Sequence, residues 1–510
     1  MTVQNAEQIL QENIALRNEL SLLKEEYSNL QQQLEWLKKQ VFGRKTEQAE
    51  VILENGTQLS LFANNAEKKA PEKTVEVKSH PRKKKRTHDE WMSTLFVEEK
   101  EHKEEHPICE KCGSEMVEIG VDKVYDELVY TPAKYHIRRH IVYSYKCTNC
   151  GENADNDDPN SKDIEKCNIR RASYPKPMIP GSYCSPELLA HIIYQKYGMA
   201  VPLHRQARDM ASKGIPLLKA TMSNWVGVAA ETWIMPIVQA MKKQLLSGSV
   251  IHADETRIQV LHEEGRKPTT DSWLWAYCNG KMNDVSIVIF EYSPTRKGDN
   301  PKCFLDGFNG YLVCDGYDAY NSVEGAKRCG CMTHTRRGFV NAMPADKNLR
   351  AASAAAKGVE FCNRIYHEES QLKELSAEER YDQRLAKVKP LLDEFFAWLE
   401  ALQVSGKSKL SDAVNYALNE KKYLYTFLED GNIPIDNNRA ENAIRPFTIG
   451  RKNWLFSNTA NGAKCSAALY SILSTAQANG LDAEEFLTKL FSNPAGTIML
   501  PWRSEDERSL

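Results

Sequence analysis

Between Ile9 and Val41 apolar side chains recur in a four–three alternation. One set of positions holds Ile9, Leu16, Leu23, Leu30 and Leu37, and the set four residues later holds Asn13, Leu20, Tyr27, Leu34 and Val41. This is unbroken heptad spacing, and leucine in one set with a lone Asn in the other favours a parallel two-stranded coil in fixed register. Residues 1–45 are therefore expected to pair two chains; the alternative is a helix packed on its own domain. From 46 to 106 the pattern dissolves into a polar, charged stretch containing the basic run Lys78–Arg86. Such a stretch reads as a flexible linker that would also bind DNA phosphates without reading sequence. Runs rich in Val, Ile and Tyr follow at Tyr125–Tyr130 and Tyr135–Tyr145 and predict strands.

Helical periodicity resumes from about Ser185 to Lys243. Within it, Pro202–Gly214, the break Ile215–Leu218 and Ala220–Val226 read as helix, glycine-containing turn and second helix. That is a helix-turn-helix-like pattern, shared with plain helical packing. Strands are then predicted at Ser247–Val260, Ser272–Cys278, Val285–Tyr292, Tyr311–Cys314 and near Lys327–Met332. Three antiparallel-type strands followed by strand–helix alternation predict an α/β sheet of RNase H-like kind. Ala351–Glu429, rich in Ala, Leu, Glu and Lys, predicts a helical insertion.

Composition sharpens the picture in three places. Lys plus Arg number 67 and Asp plus Glu 69, so any basic surface must be local. Neither a secretory signal nor an apolar run of membrane-spanning length is visible, and the chain is expected to be cytoplasmic with no membrane partner. Of 13 cysteines, four form two knuckles, Cys109-x-x-Cys112 and Cys147-x-x-Cys150, joined by strand-like sequence. Four thiolates satisfy tetrahedral zinc and leave no open position, so residues 107–155 are expected to be a zinc ribbon holding one structural Zn²⁺.

The first predicted strand carries Asp254 and Glu255, and the fourth runs into Asp315. In the expected sheet, acids on those two strands sit side by side. Strand residues alternate faces, so Asp254 shares its side with His252 and Thr256, not with Glu255. A further carboxylate, Glu441, lies in Ile435–Pro446, where Asn438 and Glu441 have capping-box spacing and Glu441 and Arg445 share a helical face. Pro446 is expected to limit that helix. Spacing alone leaves Glu441 as a metal ligand, a cap or an ion-pair member.

At these residues the chain resembles the insertion-sequence-66 family of DDE transposases, almost end to end. The resemblance rests on His252–Thr256, Asp315–Tyr317 with Tyr320–Asn321, Cys331-x-x-His334-x-Arg336-Arg337-x-Phe339, and Ile435–Asn438 with Glu441, Arg445-Pro446 and Gly450–Phe456. Leu500–Trp502 also resembles the family's tail. The resemblance implies a triad of Asp254, Asp315 and Glu441 holding two Mg²⁺ (or Mn²⁺) ions, which stabilise the attacking and leaving oxygens from ~3.5–4 Å apart. It places His334, Arg336 and Arg337 at the end of the fifth strand near the site, as phosphate contacts or fold supports, with Arg445, Arg451 and Lys452 as further cations. Three ligands at Cys329, Cys331 and His334 would make a second metal site; buried thiols are the alternative.

The organisation expected is thus a coil (1–45), a linker (46–106), a zinc ribbon (107–155) and a helical DNA-binding region (175–245). A catalytic domain (246–480, with the insertion at about 351–429) and a C-terminal tail (481–510) follow. The expected function is binding of the element's terminal inverted repeats, 3′-end cleavage and strand transfer into double-stranded target DNA. A homodimer or higher synaptic oligomer would carry it out, with small accessory proteins as possible partners. The alternative is a non-catalytic DNA-binding regulator derived from a transposase; a nuclease without strand transfer ranks third, and a coiled-coil scaffold last.

Overall fold

A computed structural model of the chain describes residues 135–146, 169–171, 173, 175–280, 285–404 and 406–502. The chain divides into two compact units, residues 44–172 and the remainder. In the first, the described elements are two short strands, β1 (Ser144–Lys146) and β2 (Ile169–Arg171), paired antiparallel with Ser144 opposite Arg171. Residues 135–143 are not strand, so the strand expected over Tyr135–Tyr145 begins only at Ser144. The heptad stretch and the four knuckle cysteines, Cys109, Cys112, Cys147 and Cys150, lie outside the described residues.

The second unit opens with helices α1 (Pro186–Ile193), α2 (Leu203–Ser212), α3 (Lys219–Ala229) and α4 (Met235–Leu246). Ser185 caps α1 through its side chain, and Gly214, at φ +78°, makes the turn after α2 that a side chain would strain. Strands β3 (Val250–His262), β4 (Asp271–Asn279), β5 (Val288–Ser293), β6 (Gly310–Val313) and β7 (Ala326–Cys329) follow, with α5 (Asp299–Phe304) before β6. They form a sheet in the order β5-β4-β3-β6-β7, and a short β8 (Ser457–Thr459) also pairs with β3. Neighbours β3, β4 and β5 run antiparallel, while β6 and β7 run parallel to β3.

Both faces of this sheet are covered, and β4 beside the central strand reads as a nearly continuous apolar run. Ile251 and Leu312 belong to one core, shared with α1–α4 and the C-terminal helices α12 (Ala460–Ala478) and α13 (Ala483–Phe491). Their strand neighbours Val250 and Val313 belong to a second core on the opposite face, as the two-residue strand period requires. That second core is built from α6 (Met332–Ala342), α7 (Ala354–Gln371), α9 (Lys389–Ala401) and α10 (Lys409–Leu424), with α8 (Ala377–Gln383) beside them. Helix α11 (Asn438–Trp454) follows the second core's helices. Residue 245 marks no packing boundary, because α1–α4, the sheet and the tail share one core. No helix among the described residues is long and apolar enough to cross a membrane.

Three expectations need correction. The fifth strand ends at Cys329 rather than Met332, because Gly330 N–H donates to Tyr423 O (2.9 Å) at the end of α10 instead of to a strand neighbour. His334, Arg336 and Arg337 therefore lie on helix α6, not at the end of a strand. Pro446 does not limit α11, which continues to Trp454. The missing N–H is one bond in a helix whose Ile444, Phe447 and Gly450 are buried. A β-carbon at Gly450 would lie 2.6 Å from Tyr470 Oη, so α11 and α12 touch closely there.

Helix α12 also protects the sheet's edge. Strand β5 is an edge strand, and its outward backbone groups would otherwise be buried unpaired. Ser471, Thr475 and Asn479, four apart on one stripe of α12 and the residue after it, face alternate positions before and along β5. Ser471 Oγ accepts from Phe290 N (2.8 Å). Thr475 Oγ1 accepts from Val288 N and donates to Val288 O (both 3.0 Å). Asn479 bonds both Ser286 N and Ser286 O. Four helical residues rise ~6 Å and two strand residues ~6.6 Å, so the repeats match. Thr475→Val keeps the shape and strands both Val288 groups. It is expected to cost about 1–3 kcal/mol per group, measured as a fall in thermal midpoint; an unchanged midpoint would refute this role.

Candidate functional site

The site forms where β6 leaves the sheet. Val250, Ile251 and His252 of β3 lie opposite Tyr311, Leu312 and Val313 of β6 in parallel register. Two residues further on, that register sets Asp254 beside Asp315. Tyr317 N donates to Asp315 Oδ1 (3.0 Å), and a β-carbon at Gly316 would lie 2.6 Å from the Tyr416 ring of α10. The tight turn at Asp315–Tyr317 thus needs a glycine.

Glu441 arrives on the first turn of α11. The capping box considered for Asn438 and Glu441 is not formed: the cap position is Asn437, whose side chain makes no capping bond. Asn437 is fully buried and is used as an anchor. Its Oδ1 lies 3.0 Å from His252 Nδ1, its Nδ2 donates to Ala253 O (2.7 Å), and its N–H donates to Cys331 Sγ (3.2 Å). Through its side-chain amide Asn437 ties the start of α11 to the strand residues just before Asp254, and through its backbone N–H to the start of α6.

Gathering these acids is electrostatically costly, and the shifts record it. Asp254 is pushed up to about 8, first by burial, then by the charges of Glu255 and Asp315; the Glu255 N–H donating to Asp254 Oδ1 opposes this, and Glu441 adds to it. Asp315 and Glu441 are thus close enough to be felt at Asp254. Glu255 is also raised, chiefly by burial. It turns to the other face, as strand alternation requires, and is held by Tyr320 Oη (2.5 Å) and Arg296 (Nε 2.8 Å, Nη2 2.5 Å). The Arg296 guanidinium lies against the rings of Tyr317 and Trp273. Behind Asp315, Arg328 donates to its backbone oxygen (2.8 Å) and pairs with Glu420 of α10 (2.6 Å) in a buried bridge.

Glu441 Oε2 accepts from Arg337 Nη2 (2.9 Å), so its ion partner is Arg337 of α6 rather than Arg445 one turn along. Glu441 Oε1 lies 3.7 Å from His334 Nδ1, and both atoms are buried without a hydrogen-bond partner. Burial holds His334 below the usual histidine range, against the pull of Glu441 and Asp315. Among the described residues, Cys331, His334 and Glu441 form the one group whose possible ligand atoms all lie within 4.8 Å of one another. Cys329 is not part of it; its thiol faces Gly330 O and Pro434 O. Asp254 and Asp315 are not in that group, whose donors are a thiol, an imidazole and a carboxylate; the oxygens of Asp254, Asp315 and Glu441 are the donor type that a hard divalent cation takes.

The cations named from sequence separate. Arg337 and His334 sit on Glu441, whereas Arg336 Nε donates to Asn363 of α7 (2.8 Å). Arg451 folds back onto β3, bonding Thr256 Oγ1 (3.2 Å) and Arg257 O. Arg445 and Lys452 are exposed on α11. Sequence reasoning missed Asn437, Arg296 and the Arg328–Glu420 bridge. Arg328 left a trace, a charge within a strand otherwise closing on buried cysteine, but nothing local pointed to its partner 92 residues on.

Fold and site together define a mixed α/β protein with an acidic centre at the middle of its sheet, a class to which transposases belong. The profile described as "Transposase IS66 family" matches residues 181–465, more than half of the chain. The profile of the zinc-finger binding domain of transposase IS66 matches 107–151, and one described as "Transposase C of IS166 homeodomain" matches 29–99. Relatives in Sinorhizobium fredii include uncharacterized protein y4hP, 27% identical over 77% of this chain and 73% of its own length. Another is uncharacterized protein y4qI, 30% identical over 66% and 65%. The chain belongs to the Transposase IS66 family.

The raised Asp254 makes a stability prediction. Folded Asp254 keeps its proton to about pH 8, whereas its ordinary value is 3.8. Between these the folded state binds a proton that the unfolded chain has released, so stability falls as pH rises through that window and levels off above it. The loss is on the order of several kcal/mol. Without added divalent ions, Asp254→Asn is expected to match wild type near pH 4 and to exceed it at pH 8. Melting curves across that range test this, and parallel pH profiles for the two proteins would refute it.

Proposed function

We propose that this transposase cleaves DNA at the ends of its insertion sequence and joins the freed 3′ ends to target DNA, with Asp254, Asp315 and Glu441 as ligands of two Mg²⁺ or Mn²⁺ ions. The observation that carries this reading is that Asp254 on β3 is acted on by the charges of both Asp315, two residues past the end of the parallel neighbour β6, and Glu441 at the start of α11, whose Oε1 has no hydrogen-bond partner. The strand order, three antiparallel neighbours followed by two parallel ones, supports an RNase H-like core.

When bound, such ions supply Lewis-acid stabilisation to the attacking and leaving oxygens of a phosphodiester. The chain's own residues do the rest. Asp254 gives up its proton to become a ligand. Glu255, already held by Arg296 and Tyr320, stays out of the site. Arg337 balances Glu441 and stands where a phosphate would pass, and the exposed Arg445 and Lys452 contact flanking phosphates. Water and then the 3′ hydroxyl act as nucleophiles, so no Ser or Tyr is needed.

Elsewhere, Cys109, Cys112, Cys147 and Cys150 hold one structural Zn²⁺, a reading supported by the zinc-finger profile across 107–151. The zinc ribbon, the basic linker and the α2–α3 pair bind the terminal repeats, and the heptad segment pairs chains as a coil.

The test uses the full chain, Mg²⁺ and a labelled duplex carrying the element's own terminal repeat. Wild type is expected to cut at the repeat end. Asp254→Asn and Glu441→Gln are expected to bind that duplex normally and to cut at least about 10³-fold more slowly. Cleavage retained by either variant would remove that residue from the ligand set, and binding without cleavage by wild type would favour a regulator.

A further inference from the structure

Two described non-glycine residues have positive φ, Ala200 (57°) and Leu455 (67°). Asn453 Nδ2 donates to Ala200 O (3.0 Å), which clasps the loop before α2 to the end of α11. Leu455 has ψ −51° and Phe456 N donates to Trp454 O (2.9 Å). This is a three-residue γ-turn of the strained sense, rarely adopted and costly for a branched side chain. Glycine would fit without strain, yet leucine stands there with its side chain outward.

The turn displays apolar surface. Leu455 is 62% exposed, Phe456 42% and Ile449, on the same helix, 60%. From Asn442 to Leu481 the sequence carries four cations, Arg445, Arg451, Lys452 and Lys464, and no Asp or Glu. Across the Asn453 clasp, α2 exposes His204, Arg205 and Arg208. Exposed apolar groups on a strained turn, on a helix end rich in exposed cations, match a polyanion that also offers apolar faces, namely DNA with its bases.

We propose that Leu455 and Phe456 form a wedge that enters the base stack of bound duplex DNA. Its position follows from α11, which begins at the acidic centre and ends at the wedge. Fourteen residues separate Glu441 from Leu455, about 20 Å of helix. At ~3.4 Å per base pair, the distorted step lies about six pairs from the phosphate at the acidic centre. The location rests on the cleavage reading above; the wedge itself does not. The strain is kept because it holds the two side chains out from the surface, and DNA contact offsets it on binding.

The experiment uses the full chain carrying Glu441→Gln, so that no cutting intervenes, and terminal-repeat duplexes with 2-aminopurine placed at successive positions. Fluorescence is expected to rise on binding within about two steps of the sixth pair and nowhere else nearby. Phe456→Ala is expected to abolish that rise and weaken binding about tenfold. Leu455→Gly is expected to abolish it too while raising the thermal midpoint, an outcome that separates a wedge from a fold support. Wild-type binding without a rise would overturn the proposal, as would a rise that survives both substitutions. So would a change of oligomeric state in Phe456→Ala with the rise intact, since a second copy would then cover the patch. A rise with no cleavage by the unsubstituted chain would sustain the wedge and remove the cleavage reading instead.

Discussion

Asp254 is buried within reach of the charges of Glu255, Asp315 and Glu441, and the surrounding structure is organised around that repulsion. Like charges out of water repel strongly unless cations or hydrogen bonds answer them. Each answer comes from a different element. Arg296, from the loop after β5, takes Glu255; Arg328, on β7, stands behind Asp315; Arg337 and His334, on α6, meet Glu441. Asp254 and the Asp315 carboxylate pair with no cation among the described residues, and burial, then the charges of Glu255 and Asp315, raise the proton affinity of Asp254. Asp254, on the central strand, and Asp315, just past β6, are the acids where a bound cation would relieve repulsion.

This arrangement makes the helical insertion part of the site rather than an ornament on it. Glu420 of α10 neutralises Arg328, and Tyr416 of the same helix packs on the glycine after Asp315. Deeper in the insertion, buried Arg384 pairs with Glu369 and donates to the carbonyls of Phe427 and Asp430, fixing the turn that leads toward α11. The insertion therefore sets the path of both the second and the third acid. Asn437 completes the link by bonding β3 and α6 at once. On the opposite face, α12 closes the sheet's edge with hydroxyl and amide groups, which leaves the unit without an open strand at β5.

Helix α11 joins two regions of different character. Its first turn is acidic and partly buried, and its last turn is basic, strained and apolar. The helix is tied at both ends: Asn437 holds its start to β3, while Arg451 holds its last turn to Thr256 and Arg257 of the same strand and Asn453 holds the loop at Ala200. A rod fixed at both ends carries geometry from the acidic centre to the surface with little slack, and the site's reach along a substrate is then set by helix rise.

The sequence by itself determined the sheet and the family. Residue alternation in His252–Thr256 placed Asp254 and Glu255 on opposite faces, the apolar runs marked the strands to within a few residues, and the ordered motifs implied the family that the profiles show. These are properties of local pattern, which strand pleating and motif spacing make legible. Tertiary structure alone decided the rest. That Pro446 sits inside a helix, that Glu441 pairs with Arg337 and not Arg445, and that Arg336 turns away toward Asn363 depend on which surfaces meet. The Arg328–Glu420 bridge and the Asn437 anchor join residues 92 and about 185 positions apart. Local spacing carries no record of such pairings, because a buried charge or amide is satisfied by whatever the packed fold brings within reach.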